Sequence, residues 1–522
     1  MLHPAVWLAA GLGLIAAALP QLPAAEAAND ARATETKSAA AITHLDIGLT
    51  ARHTLIEGVS VPGRAGSTAV VLLIGGLAGR DASVATVRAA VASYEREPRR
   101  RRGFRLLAIA LANPDGTALQ FPPKGTAYRD QRESHVLWRW IGVHAPDQVL
   151  VAGPDAAGLA TALSTQSVAE VGRIPARALD SGDLGKIAAE PIEPSEAHRE
   201  IARRLARTPL ALAEELARYY GHDLNQVWYI QAIALTAQLR LGHLKEVEQL
   251  AEPYVNGTRD SLAHPNSLVF AGHLLFGELA RRTGDPRYLA RVRAAANYGF
   301  ETDGRMKEAM PFHNGFSDSL FMGTDILAQA GALTGERRYF DMAARHIEFM
   351  RRLDLRPDGL YRHHPGTEVD WGRGNAFAAI GLAIALSDFP PRHPAFARIR
   401  DEYRAHMAAL LAQQDGDGMW RNVVDLRGSY SELSATAMIA FAIQRGIERG
   451  WLPERRYGPA VERAWQGVLA RVGPEGSFVD VCESTARAQT LEDYMTRTAI
   501  LGPDPRGGAM VLLLATELAG LK

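Results

Sequence analysis

Thr283-Gly284-Asp285-Pro286-Arg287-Tyr288 returns 51 residues later as Thr334-Gly335-Glu336-Arg337-Arg338-Tyr339. The first copy follows HLLFGELARR and precedes YLARVRAAANYG; the second follows DILAQAGAL and precedes YFDMAARHIEFM. Apolar residues recur at three- and four-residue intervals in these flanks, so each repeat reads as a helical hairpin closed by a tight Gly turn. Six units of about 50 residues need about 300 residues, and the stretch from 205 to 520 supplies them. Six hairpins closing on themselves make an (α/α)6 toroid. An open solenoid of tetratricopeptide type has a period of about 34 residues, which the 51-residue step does not match.

Upstream of this array the pattern changes. The helical character begins near 197, with EAHREIARRLAR and PLALAEELARYY. Before it, VVLLIGG (70–76), FRLLAIALANPDG (104–116) and DQVLVAG (147–153) are short β-branched runs that end in turns, with helical stretches between them. Buried strands alternating with helices predict an α/β domain with a largely parallel sheet over residues 43–190. The chain is therefore expected to be multidomain, with this α/β domain followed by the all-α (α/α)6 toroid over 197–522. Val6 to Leu19 is apolar and is followed by Ala25-Glu26-Ala27, so residues 1–27 read as an export signal, with 28–42 as a linker. Fourteen apolar residues are too few to span a bilayer comfortably, and no membrane association is expected after cleavage.

Basic and acidic residues balance at 58 each, which argues against nucleic acid as a partner. Cys482 is the single cysteine, so neither an intrachain disulfide nor a cysteine zinc cluster can form. An exported protein without disulfides suits a bacterial periplasm.

Three segments of the array combine aromatic and ionisable residues. Pro311 to Gly331 holds His313 and Asp318 beside two Phe residues; a carboxyl among aromatic rings can have the raised pKa that a general acid needs. The plain alternative for Asp318 is a helix N-cap. Asp358 to Leu386 holds His363, His364, Trp371 and Arg373, where Trp371 could stack on a sugar and Arg373 could grip a carboxylate bidentately. Gln414 to Ile443 holds Trp420 and Glu432, both candidates for the cleft, with helix capping the alternative for Glu432; Asp415 and Asp417 read as turn residues.

Together these segments resemble glycoside hydrolase families 105 and 88, the unsaturated rhamnogalacturonyl and glucuronyl hydrolases. Asp318 in SDSLFM is similar to the family's catalytic Asp. Asp358-Gly359-Leu360-Tyr361 with His363, and then Trp371-Gly372-Arg373-Gly374-Asn375, resemble its substrate loop; SELSATAMIAFAI resembles the segment after its D-x-x-G-x-W turn. The resemblance implies a toroid that releases a terminal 4,5-unsaturated uronic acid from lyase-generated oligosaccharides, with Asp318 as acid and then base. His313, His363, His364, Trp371, Arg373, Trp420 and Glu432 would bind substrate, and no metal or organic cofactor is implied. One position departs: where the family carries a further Asp, this chain reads Ala263-His264-Pro265-Asn266-Ser267, and Asn266 or Ser267 takes its place. Two alternatives stay open: a hydrolase or lyase on saturated uronides using Asp318 with Glu432, and a non-catalytic carbohydrate-binding protein.

Residues 70–81, Asn113-Pro114-Asp115-Gly116 and Pro146-Asp147-Gln148-Val149 resemble segments of zinc carboxypeptidases. The His-x-x-Glu pair is missing from Gly75-Gly76-Leu77-Ala78-Gly79-Arg80, and Ala152-Gly153 stands where the later His belongs. A catalytic zinc needs three protein ligands, so the resemblance implies a metal-free relative.

Overall fold

A computed structural model describes residues 42–155, 157–179 and 191–521. The expected export signal, all of the expected linker but Ile42, and the segment 180–190 where the first domain was expected to end lie outside the described residues.

The N-terminal layer is a six-stranded sheet in the order β1-β2-β4-β3-β5-β6. Its strands are β1 (Thr43–Leu49), β2 (Leu55–Val61), β3 (Val70–Ile74), β4 (Arg105–Ile109), β5 (Gln148–Val151) and β6 (Ala176–Ala178). β3 runs parallel to β4 and β5, and β5 parallel to β6, while β1–β2 and β2–β4 pair antiparallel. The three apolar runs are thus β3, β4 and β5. β3 is buried along its whole length because helices α1 (Ala82–Arg96), α2 (Arg132–His144) and α3 (Leu159–Thr165) return the chain across the sheet.

From Glu196 the chain is helical: α4 (Glu196–Leu205), α5 (Pro209–Ala217), α6 (Tyr229–Arg240), α7 (Leu244–Val255), α8 (Ser267–Gly272), α9 (Leu274–Thr283), α10 (Pro286–Ala296), α11 (Ser319–Met322), α12 (Thr324–Thr334), α13 (Arg337–Asp354), α14 (Gly372–Asp388), α15 (Phe396–Ala412), α16 (Leu433–Glu448) and α17 (Glu454–Arg471). β7 (Ser477–Cys482), the short α18 (Leu491–Met495), β8 (Ala499–Pro503) and α19 (Pro505–Leu518) complete it. The inner helices close a ring: α6 packs on α9, α9 on α12, α12 on α14, α14 on α16, α16 on α19, and α19 back on α6. An outer helix backs each of them: α5, α7, α10, α13, α15 and α17. Composition explains the two shells. α14 (GRGNAFAAIGLAIALSD) is buried on nearly all sides, as an inner helix must be, whereas α13 buries one stripe and exposes charges on the other.

The repeat is a shared turn. Gly284 (φ 72°) and Gly335 (φ 74°) end α9 and α12 in the left-handed conformation that glycine adopts without steric cost. Thr283 and Thr334 each donate back to the carbonyl four residues earlier and accept from the N–H two residues on.

Residues 43–522 cluster as one compact unit. Tyr128 of the sheet layer stacks on Tyr430 of the toroid at 4.6 Å, and Ile201, Ala470 and Ala499 join the sheet's own apolar core.

Candidate active site

Asp318 stands at the head of α11, yet its side chain caps nothing: Oδ1 is buried and has no hydrogen-bond partner. Ser317 Oγ, His363 Nε2 and Arg373 Nη1 are among the other buried polar atoms in that condition. They lie near one another. His363 Nε2 is 4.0 Å from Asp318 Oδ1. A Cβ placed on Gly374 would sit 2.7 Å from Ser317 Oγ and 3.6 Å from Asp318 Oδ1. Each unmet buried polar group costs about 1–3 kcal/mol. A cluster of them, donors and acceptors mixed, suits a ligand rich in hydroxyl and carboxylate oxygens.

Burial pushes the Asp318 carboxyl up to about 7, against the pull of the Arg373 and Arg497 guanidiniums. A carboxyl held there is protonated in part at neutral pH and can both give and take a proton. Burial, with Arg497 adding to it, holds His363 well below the ordinary histidine range, so its ring is neutral. Burial also lifts Asp354, at the end of α13, to about 8, with Arg362 opposing and Asp318 adding to the rise.

The segment 483–498 between β7 and β8 lies over this cluster as a strap. Tyr494 Oη is 2.7 Å from His363 Nδ1, and Asn422 Nδ2 donates to Tyr494 O at 2.7 Å. His364 Nε2 donates to Ala488 O at 2.9 Å. The Arg497 guanidinium sits 4.6 Å from the Trp371 ring centre, and Arg487 sits 5.3 Å from that of Phe316 while donating to Asn314 O. Phe316 in turn stacks on His363 at 4.6 Å.

A sequence model described as Glycosyl Hydrolase Family 88 matches residues 246–522. The chain belongs to glycosyl hydrolase family 88. It is 29% identical over 248 residues to the unsaturated rhamnogalacturonyl hydrolase YesR of Bacillus subtilis (strain 168), a match covering 43% of this chain and 69% of that protein. It is 28% identical over 175 residues to an unsaturated 3S-rhamnoglycuronyl hydrolase of Alteromonas sp. (strain LOR), covering 31% of this chain but only 42% of that protein. A solved glycosyl hydrolase family 88 structure from Bacteroides vulgatus superposes with a TM-score of 0.50 at 17% identity, over 60% of this chain and all of that one; at that identity the likeness concerns the fold.

Within this family 88 chain the predicted residues fall into two groups. Asp318, His363 and Arg373 converge, with Trp371 and His364 packed behind them. The others are engaged elsewhere, although Glu432 Oε1 lies behind the cluster, 3.4 Å from Arg373 Nη2. Trp420 was expected at the cleft; it is fully buried in the toroid's core, its Nε1 donating to Leu410 O at 2.7 Å. Glu432 is a helix cap: its carboxylate accepts from the Ser434 and Ala435 N–H groups, from Ser434 Oγ and from the Cys482 N–H. It has no exposed oxygen left for a sugar or for a second catalytic role. Asn266 caps α8 through the Val269 N–H, and His313 packs edge-on against Phe349 while accepting from the Gly315 N–H.

Two expected geometries also change. Arg373 cannot grip a carboxylate bidentately, because Nε donates to Ser434 Oγ and Nη2 to Cys482 O; Nη1 alone remains. Trp371 offers no open face for stacking: it is fully buried, Nε1 donates to Asn422 Oδ1, and Arg497 and His363 lie against the ring.

Sequence reasoning missed Ser317, Asp354, Tyr494 and Arg497. Ser317 lies inside the first segment singled out, next to Asp318, and Asp354 lies four residues before the second. Tyr494 and Arg497 had one faint signal, an aromatic and an arginine three apart in LEDYMTRTA, more than 170 residues from Asp318.

Proposed function

We propose that this protein removes a terminal 4,5-unsaturated uronic acid from oligosaccharides by hydrating its vinyl ether. Asp318, protonated, donates to carbon 4 and leaves an oxocarbenium-like centre at carbon 5. The Asp318 carboxylate then takes a proton from a water that adds at carbon 5 and is restored to the acid. The hemiketal opens, and the neighbouring sugar leaves. One carboxyl performs both proton transfers, unlike ordinary glycoside hydrolysis, where two carboxylates flank the bond.

The observation that carries this reading is Asp318 itself: buried, lifted to about 7, and unpartnered beside Arg373 Nη1 and Arg497. The two guanidiniums suit the substrate's carboxylate, which would take Arg373 Nη1 at one end and, at the other, the charge of Arg497, whose Nη1 and Nη2 already donate to Ser484 O and Ala486 O. The relatives named above are both hydrolases of unsaturated uronyl sugars, which agrees with this chemistry. Export of the enzyme, read from residues 1–27, belongs to the same proposal, because lyase products of large polysaccharides arise outside the cytoplasm.

The test is the loss of vinyl-ether ultraviolet absorbance during incubation with lyase-generated unsaturated oligosaccharides. Wild type is expected to bleach the signal, and Asp318→Asn to slow it by at least about a thousandfold, in the upper half of the range of about 10²–10⁴ for a general acid–base group because one carboxyl carries both transfers. No bleaching across pectin-, glycosaminoglycan- and ulvan-derived substrates would sink the reading in favour of saturated uronides.

A further inference from the structure

The sheet layer lies outside residues 246–522, the part that the family model covers, yet it reaches the strap. Arg132 on α2 donates from Nη2 to Glu492 Oε1 at 2.5 Å, and His53, between β1 and β2, meets Glu492 Oε2 at 2.7 Å. Two turns further along α2, Arg139 pairs with Asp480 and donates to Ala499 O at 3.0 Å. Tyr128 Oη donates to the other Asp480 oxygen at 3.0 Å. Arg132 and Arg139 stand seven residues apart, on one face of the helix. Helix α2 therefore holds both feet of the strap, Asp480 and Ala499, and its middle at Glu492.

Asp480 is built for this contact. It sits at the register shift between Val479 and Val481 with φ 66°, a bulge that turns its side chain out of β7 toward the sheet layer. Glu492 makes the point differently. Its side chain is 48% exposed, whereas that of Arg132 is 5% exposed and already has Tyr128 O and Thr50 O as acceptors. Neither side chain needs the other for solvation, so what the pair fixes is position.

We propose that the sheet layer is a clamp on the strap, with Arg132 and Arg139 as positioning residues that act through Glu492 and Asp480. They hold Tyr494 against His363 and Arg497 beside Asp318. The proposal rests on the reading of Asp318 as the catalytic carboxyl and of Arg497 as a holder of the substrate carboxylate.

The test uses Glu492→Gln and Glu492→Lys in the full chain, because Glu492 is exposed and both variants should fold. Kinetics on unsaturated disaccharides are read beside hydrogen exchange of the 484–498 amides. A loosened strap weakens a contact made in ground and transition states alike, so KM is expected to rise about three- to tenfold for Gln, and more for Lys, with kcat nearly unchanged. Exchange should quicken in the strap and not in the toroid helices. Unchanged KM and unchanged strap exchange would overturn the clamp. So would a fall in kcat at constant KM with exchange raised throughout the toroid, the pattern of a brace needed only for folding. If wild type turns over no unsaturated substrate, the function reading falls, and strap exchange in the two variants still decides whether the clamp exists.

Discussion

At the scale of single residues, the decisive quantity is the proton on Asp318. Its burial costs the carboxylate its hydration, and Arg373 and Arg497 restore only part of the loss, which leaves the group near 7. The first step of the proposed reaction needs the acid form. As pH rises through 7 that form is depleted, so kcat/KM is expected to be flat below about pH 6 and to fall about tenfold per unit well above 7. Removing a guanidinium raises the group further: Arg497→Gln should move the falling limb to higher pH while also raising KM. A pH–rate profile of wild type and variant checks both, and a limb that stays in place would show that Arg497 does not act on Asp318. His363 cannot produce this limb, because burial beside Arg497 keeps its ring neutral across the range.

At the scale of elements, the site is a junction of short pieces: the head of α11, the first turn of α14, and the strap. Gly374 lets two of them meet. A methyl there would lie 2.7 Å from Ser317 Oγ and 3.6 Å from Asp318 Oδ1, so Gly374→Ala is expected to shift the α11 head and cut kcat at least about tenfold. Overpacking of this size costs about 1–3 kcal/mol, so the variant should still fold; full activity with a normal melting curve would refute the close approach. The same junction shows what could be read beforehand. The helices of the array were legible because their apolar spacing repeats and because Thr-Gly turns close two of the hairpins. Asp318 and Arg373 were legible through local patterns at the N-terminal ends of α11 and α14, and His363 through the loop that leads into α14. Glu432 was ambiguous because a carboxyl before an apolar helix looks the same as a cap or as a site residue; the Ser434 and Ala435 N–H groups settle it as a cap. Trp420 misled because an aromatic beside a turn carries no mark of the side it faces. The strap was invisible, since sixteen residues without periodicity give no hint that they cross over a carboxyl far away in sequence.

At the scale of the whole molecule, sequence composition suggested two independent parts, since strand-like runs give way to helices near 197. The packing ties them together. Tyr430 lies face to face with Tyr128, and Ile201, Ala470 and Ala499 complete the apolar core beneath the sheet. Arg139–Asp480 and Arg132–Glu492 cross the same boundary. Removing the sheet layer would bare those apolar groups and leave Asp480, 7% exposed at its side chain, without its partner; a buried charge stripped of its partner is strongly destabilising. The full chain is therefore expected to unfold in one calorimetric transition, and a chain starting at residue 191 to melt at least roughly 5 °C lower, given that each kcal/mol moves a domain of 150–250 residues by about 2–4 °C. The strap should fail first in the shortened chain, with its amides exchanging quickly before any toroid helix opens, because its anchors at Asp480, Glu492 and Ala499 all face the missing layer. Two resolved transitions in the full chain, with the toroid's at the same temperature when residues 43–190 are absent, would mean that the sheet merely rides on the toroid and that the strap's position owes nothing to it.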